Sequence, residues 1–81
     1  MRVKVLFFGP LADEMGEREA VCEMSSGARL ADLRRHYENL HPALIAWRGH
    51  IQFSVNREIQ NDAFQLAEGD EIAFLPPASG G

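Results

Sequence analysis

The sequence has 81 residues, 46% of them hydrophobic and 25% charged, with a formal net charge of -4 and a single cysteine. A chain of this size buries roughly 60–70% of its unfolded surface, enough for one thin core, which excludes a two-lobed enzyme with a cleft between domains. The acidic balance argues against a phosphate-backbone binder, which needs a basic face, and one cysteine excludes an internal disulfide.

Apolar runs such as Val5–Phe8 fall far short of the ~20 residues a membrane span needs. Arg2 and Lys4 sit inside a strand-like alternation instead of preceding an apolar leader. The expectation is a soluble, cytoplasmic protein that binds neither nucleic acid nor membrane. The acids cluster in two runs. Asp13, Glu14, Glu17, Glu19 and Glu23 surround the lone Arg18, and Glu58, Asp62, Glu68, Asp70 and Glu71 have no base among them. Such runs are solvated faces, or they steer the chain toward a basic partner and raise its association rate.

Arg2 to Phe8 alternates at first and then becomes wholly apolar, so it is expected to be a strand that ends buried on both faces. Gly9-Pro10 stops it. Leu11 to Met15 can form one helical turn closed by Gly16, a residue suited to a helix C-cap. Glu19 to Met24 alternates again with Ala20, Cys22 and Met24 on one side, which predicts an antiparallel partner for the first strand. After the Ser25-Ser26-Gly27 loop, Leu30, Leu33, Tyr37 and Leu40 line one face of the one long helix. Asp32, Arg34, Arg35 and Glu38 fall mainly on the other. His41-Pro42 ends that helix.

Ala43 to Arg48 is ambiguous and reads as a short turn burying Trp47. Ile51 to Asn56 is a period-two strand with Ile51, Phe53 and Val55 inward. Arg57 to Gln60 gives a turn and a short strand, and Glu71 to Leu75 the last strand. Alternation there puts Ile72 and Phe74 in the core and turns Ala73 and Leu75 outward. The order β, β, α, β, β, β predicts an α+β roll of the ubiquitin-like, or β-grasp, type. It has a mixed sheet of about five strands with one main helix packed on one face.

The final six residues carry the functional signal. Pro76 and Pro77 lack backbone donors, so strand pairing weakens or stops there, and they bias the chain to stiff polyproline II. Ala78, Ser79, Gly80 and Gly81 are all small. Residues 1–75 are therefore expected to form the domain and residues 76–81 an extended tail. Extended, Pro77 to Gly81 spans roughly 15 Å at ~3.3 Å per residue. Without Cβ atoms Gly80 and Gly81 can enter a narrow channel, and the Gly81 carboxyl carbon is unshielded. A frayed, functionless terminus is the competing reading.

Gly69 through Gly81 resembles the C-terminal signature of the small, sulfur-carrying subunits of molybdopterin synthase, in the MoaD/ThiS family. Val3 to Phe8, Leu33-Arg34-Arg35-His36 and Val55-Asn56 agree with it. Leu75, where a second aromatic is common, and Ala78, where valine is common, depart from the pattern. The resemblance implies that a ubiquitin-activating-type enzyme adenylates the Gly81 carboxylate with ATP. A persulfide-derived sulfur, supplied by a sulfurtransferase or cysteine desulfurase, then leaves a thiocarboxylate. The large subunit of molybdopterin synthase uses that sulfur on cyclic pyranopterin monophosphate. Gly81 is then the reacting terminus, Pro76, Pro77, Ala78, Ser79 and Gly80 present it, and Leu75 and Ala73 belong to a docking patch. No cofactor is implied for this chain itself.

Other assignments are weaker. Cys22 lies inward and reads as a small hydrophobe. His36, His41 and His50 have no ligand-like spacing, so no metal site is expected. Sulfur carriage for thiazole or cysteine synthesis, a ubiquitin-like tag, and a plain binding module remain as alternatives.

Overall fold

The computed structural model describes residues 1–77; Ala78, Ser79, Gly80 and Gly81 lie outside the described residues. The elements are β1 (Arg2–Phe7), α1 (Pro10–Met15), β2 (Glu19–Glu23), α2 (Leu30–Leu40), a 3-10 helix (Pro42–Trp47), β3 (Gln52–Val55), β4 (Glu58–Gln60) and β5 (Glu71–Leu75). The five strands make one sheet in the order β2-β1-β5-β3-β4. β1 and β5 are parallel, and the other neighbouring pairs are antiparallel. This is the expected mixed sheet, with the last strand at its centre.

One face of the sheet carries the core. Val3, Val5 and Phe7 of β1, Cys22 of β2, Phe53 and Val55 of β3, and Ile72 and Phe74 of β5 pack with Leu30, Leu33 and Tyr37 of α2. The Phe74 ring is its hub, lying edge-on to Phe53, Phe7 and Tyr37 at centroid distances of 4.7, 5.1 and 5.5 Å. Edge-to-face rings add attraction beyond their area burial. Short elements close as the residues dictate. Gly16 caps α1 in the left-handed conformation at φ 75. At the start of α2 the Asp32 carboxylate accepts the Arg29 backbone N–H at 2.8 Å, satisfying a donor that the first helical turn leaves open.

Four expectations change. The end of β1 is not buried on both faces: Leu6 is half-buried and Phe8, just past the strand, is 47% exposed. The sheet has its helix layer on one side, so every second residue of β1 looks outward however apolar it is. Leu40, in the last turn of α2, is not a core residue but 60% exposed. Glu38, expected on the solvated face, is only 5% exposed. It lies on the flank facing the 3-10 helix, where Arg48 donates to it at 2.7 and 3.2 Å and Arg34 at 3.1 Å. These guanidinium hydrogen bonds hold its carboxyl below the usual carboxylate range, led by Arg48 and against the opposing effect of burial. Finally, Ala43 to Arg48 resolves into the 3-10 helix, which buries Leu44 while Trp47 is only partly covered.

Tyr37 gives a direct test of the core. Burial against the sheet, with Cys22 beside it, pushes its phenol from 10.0 up to about 12. It is the sole tyrosine, so phenolate absorbance in an alkaline titration reports this residue alone. The expected midpoint is near pH 12 while the chain is folded, and near 10 once it is unfolded by denaturant. Because the folded value is the higher one, this group's contribution to stability is complete below pH 10 and is lost as pH rises toward 12.

Candidate functional site: the uncovered sheet face and the tail root

β5 delivers the C-terminal residues. It is bonded on both sides, with Phe74 opposite Phe7 of β1 and opposite Phe53 of β3, and its last residue Leu75 opposite Gln52. Pro76 and Pro77 follow with no regular structure, Pro76 half-buried and Pro77 exposed. With no N–H to offer, the two prolines end the ladder at the centre of the sheet, where other residues would allow it to continue. Gly9, at φ 55 and ψ -134, faces this root; a Cβ built on it would lie 3.4 Å from the Pro76 ring. That backbone region is essentially closed to other residues, so Gly9 lets the chain turn from β1 into α1 alongside Pro76.

The face of the sheet away from α2 is the second feature. Register places Leu6, Ala73, Ser54 and Ile59 in one row across β1, β5, β3 and β4. Leu75, next along toward the tail root on the same face of β5, lines the same shallow groove with Phe8. Ala73 and Ser54 are its floor, 7% and 8% exposed, while Ile59 is 57% exposed. The opposite end of this face is charged, with Arg2 paired to Glu23 at 2.8 Å and Lys4 to Glu19 at 3.5 Å.

The anticipated site residues thus divide. Leu75 is half-buried and outside the helix-side core, as the alternation requires. Ala73 also lies outside that core, yet it is not a projecting surface residue. Larger neighbours shade its methyl group, and the accessible contacts belong to Leu6, Phe8, Ile59 and Leu75. Ala78, Ser79, Gly80 and Gly81 lie outside the described residues. Leu6, Phe8 and Ile59 were missed by the sequence reading, although the period-two parity of Arg2, Lys4, Leu6 and Phe8 carried the signal. Cys22 is buried, and burial raises its thiol pKa, which keeps it protonated and unreactive at neutral pH. Among the described residues no group of three potential ligands is placed to hold a metal ion, and no helix is long and apolar enough to cross a membrane.

A five-stranded mixed sheet with a helix layer on one face, its central strand running into Pro76-Pro77, defines a ubiquitin-like β-grasp protein. The ThiS family model matches residues 5–81. A molybdopterin synthase sulfur carrier subunit from Chlamydomonas reinhardtii is 36% identical, with all of both chains covered. The crystal structure of SAMP1 from Haloferax volcanii superposes with a TM-score of 0.87 at 29% identity, again covering both chains entirely. Subunits 1 and 2 of the molybdopterin-converting factor from Helicobacter pylori form a complex of known structure, which includes a chain 30% identical to this one, with a TM-score of 0.71 and full coverage of both. The chain belongs to the ThiS family, in its branch of molybdopterin synthase sulfur carrier subunits.

Proposed function

We propose that this chain carries sulfur on its last residue for molybdopterin synthase, with residues 1–75 as scaffold and 76–81 as the arm that enters partner active sites. The supporting observation is the coupling of two features at one end of the sheet. The central strand passes directly into Pro76-Pro77, and the apolar groove of Leu6, Phe8, Ile59 and Leu75 opens beside that root. A partner seated on the groove receives the arm at a fixed distance and direction.

The chemistry needs nothing further from this chain. A carboxylate is a poor acyl donor because its charge repels nucleophiles and an oxide leaves badly. Adenylation of Gly81 by a ubiquitin-activating-type enzyme, with ATP, supplies AMP as a leaving group. The terminal sulfur of a persulfide displaces AMP to give an acyl disulfide, and a thiol then cleaves its S–S bond, leaving a disulfide on the donor and the thiocarboxylate on Gly81. That sulfur is ionised at neutral pH and soft, so it is a strong nucleophile by the logic that governs thiolates. The large subunit takes up the arm, and the sulfur passes to cyclic pyranopterin monophosphate as one of the two dithiolene sulfurs, a second charged chain supplying the other. Gly81 returns as a carboxylate. Gly80 gives backbone access, while Ala78 and Ser79 keep the arm slender. A cytoplasmic location fits partners that consume ATP and persulfide.

Intact mass tests the reading. After incubation with the adenylating enzyme, ATP and a sulfur source, the chain is expected to gain the mass difference of one oxygen exchanged for sulfur. The charged protein with the large subunit then converts the pterin precursor and loses that gain. An unchanged mass with competent enzymes overturns the proposal. Likeness to SAMP1, a small archaeal modifier protein, favours a second reading as a tag joined to lysines of other proteins. Covalent adducts in place of the sulfur exchange would select it.

A further inference from the structure

Resting on that docking reading, we infer that Arg57 is the charged anchor of the uncovered sheet face and that the partner meets it with a carboxylate. β3 and β4 are joined by two residues, Asn56 and Arg57, both left-handed at φ 51 and 72. Two-residue hairpin turns of this hand favour Asn-Gly, because glycine alone is free of the crowding between Cβ and carbonyl there. Asn56 has a structural reason for its place. Its amide donates to Asp70 Oδ1 at 2.9 Å, and its side-chain oxygen accepts the Glu71 N–H at 3.0 Å. Asparagine also tolerates this backbone region.

Arg57 has no comparable reason. It occupies the position where glycine would relieve strain, and its guanidinium makes no hydrogen bond or ion pair among the described residues. It lines the groove with Ser54, Ile59, Ala73 and Leu75. The other cations of that face, Arg2 and Lys4, are already matched to Glu23 and Glu19. Glu71 lines the same groove but is not in ion-pair contact with Arg57. A strained residue with an unsatisfied fork of donors at the rim of an apolar groove is the composition of an interface anchor, since local strain concentrates at functional positions. The planar fork is matched by a carboxylate. An acidic partner group here also fixes the register of docking, because Arg57 is the one cation lining this groove and the other cations of the face, Arg2 and Lys4, are internally paired.

Binding of the full chain to the large subunit, measured by calorimetry at two salt concentrations, tests this with three variants. Arg57→Gly is expected to raise the melting temperature of the free chain by a few degrees yet weaken binding about tenfold. It should also flatten the salt dependence of affinity. Arg57→Lys, which keeps charge without the fork, falls between. Leu75→Glu is expected to abolish binding. If Leu75→Glu abolishes binding while Arg57→Gly binds within about twofold of the parent, the anchor inference is overturned and the docking face stands. If Leu75→Glu binds normally, the docking face itself is wrong and the inference falls with it. A melting temperature lowered by Arg57→Gly also overturns it, because Arg57 would then serve the fold.

Discussion

Deletion of Gly81, or addition of one residue beyond it, is expected to abolish sulfur loading while leaving thermal melting unchanged. Both halves follow from where the fold ends. The core closes at Phe74, and the last ladder pair is Leu75 with Gln52, so the described core and sheet ladder are complete before the chain reaches position 81. On the proposed function the acyl carbon, by contrast, has to reach a catalytic centre that belongs to another protein while the groove is docked. Moving it by one residue displaces it by about 3.3 Å. Misplacement of reacting atoms by about 1 Å already costs on the order of 10²-fold. Deletion also removes one of the two terminal glycines, Gly80 and Gly81, whose lack of a Cβ gives backbone access. Intact mass after the loading reaction reads the outcome, and circular dichroism melting checks the fold in parallel. Persistent loading of either variant would show that the activating enzyme does not measure the length of the arm, contrary to the model of a terminus presented at fixed reach.

The fold was legible because each strand and the long helix carried its own period. Strands β2, β3 and β5 fall where alternation put them, and Gly16 caps α1 as its backbone freedom suggested. What failed shares one physical cause. Local patterns say which residues share a face but not whether another layer covers that face. Leu6 and Phe8 therefore read as buried on apolarity alone. Leu40 kept the helical spacing of Leu33 and Tyr37 but is left uncovered. Glu38 was assigned to solvent because its burial depends on Arg48, ten positions away in a separate element. Ala73 was given the correct side but not its depth, which is set by its neighbours across the strands. Of the candidate site, the tail motif was legible as an expectation and lies mostly outside the described residues, whereas the groove beside Pro76 is assembled from four strands. Arg57 carried no sequence signal beyond standing where a hairpin prefers glycine.

Phe74→Ala is expected to destabilise the chain by about 3–5 kcal/mol, the usual cost of emptying a buried phenylalanine site. Phe74 is 1% exposed, on the central strand, and touches the rings of Phe7, Phe53 and Tyr37 at once. No single neighbour can collapse into the space without leaving the other two. A domain of this length has a total stability of about 4–12 kcal/mol, so the loss is a large fraction of the whole. The corresponding fall in melting temperature is on the order of 15–30 °C. Phe74→Leu, which keeps most of the volume, is expected to cost about 1–2 kcal/mol. Denaturant unfolding followed by Trp47 fluorescence measures both. The adjacent residue provides the contrast: Leu75→Glu puts a charge on the uncovered face and should cost the fold about 1 kcal/mol or less, while removing docking. On the proposed docking, position 74 therefore governs whether there is a scaffold, and position 75 whether the scaffold is received. If Leu75→Glu proves as damaging to stability as Phe74→Ala, the two faces of β5 have been assigned the wrong way round, and the groove beside the tail root is part of the core.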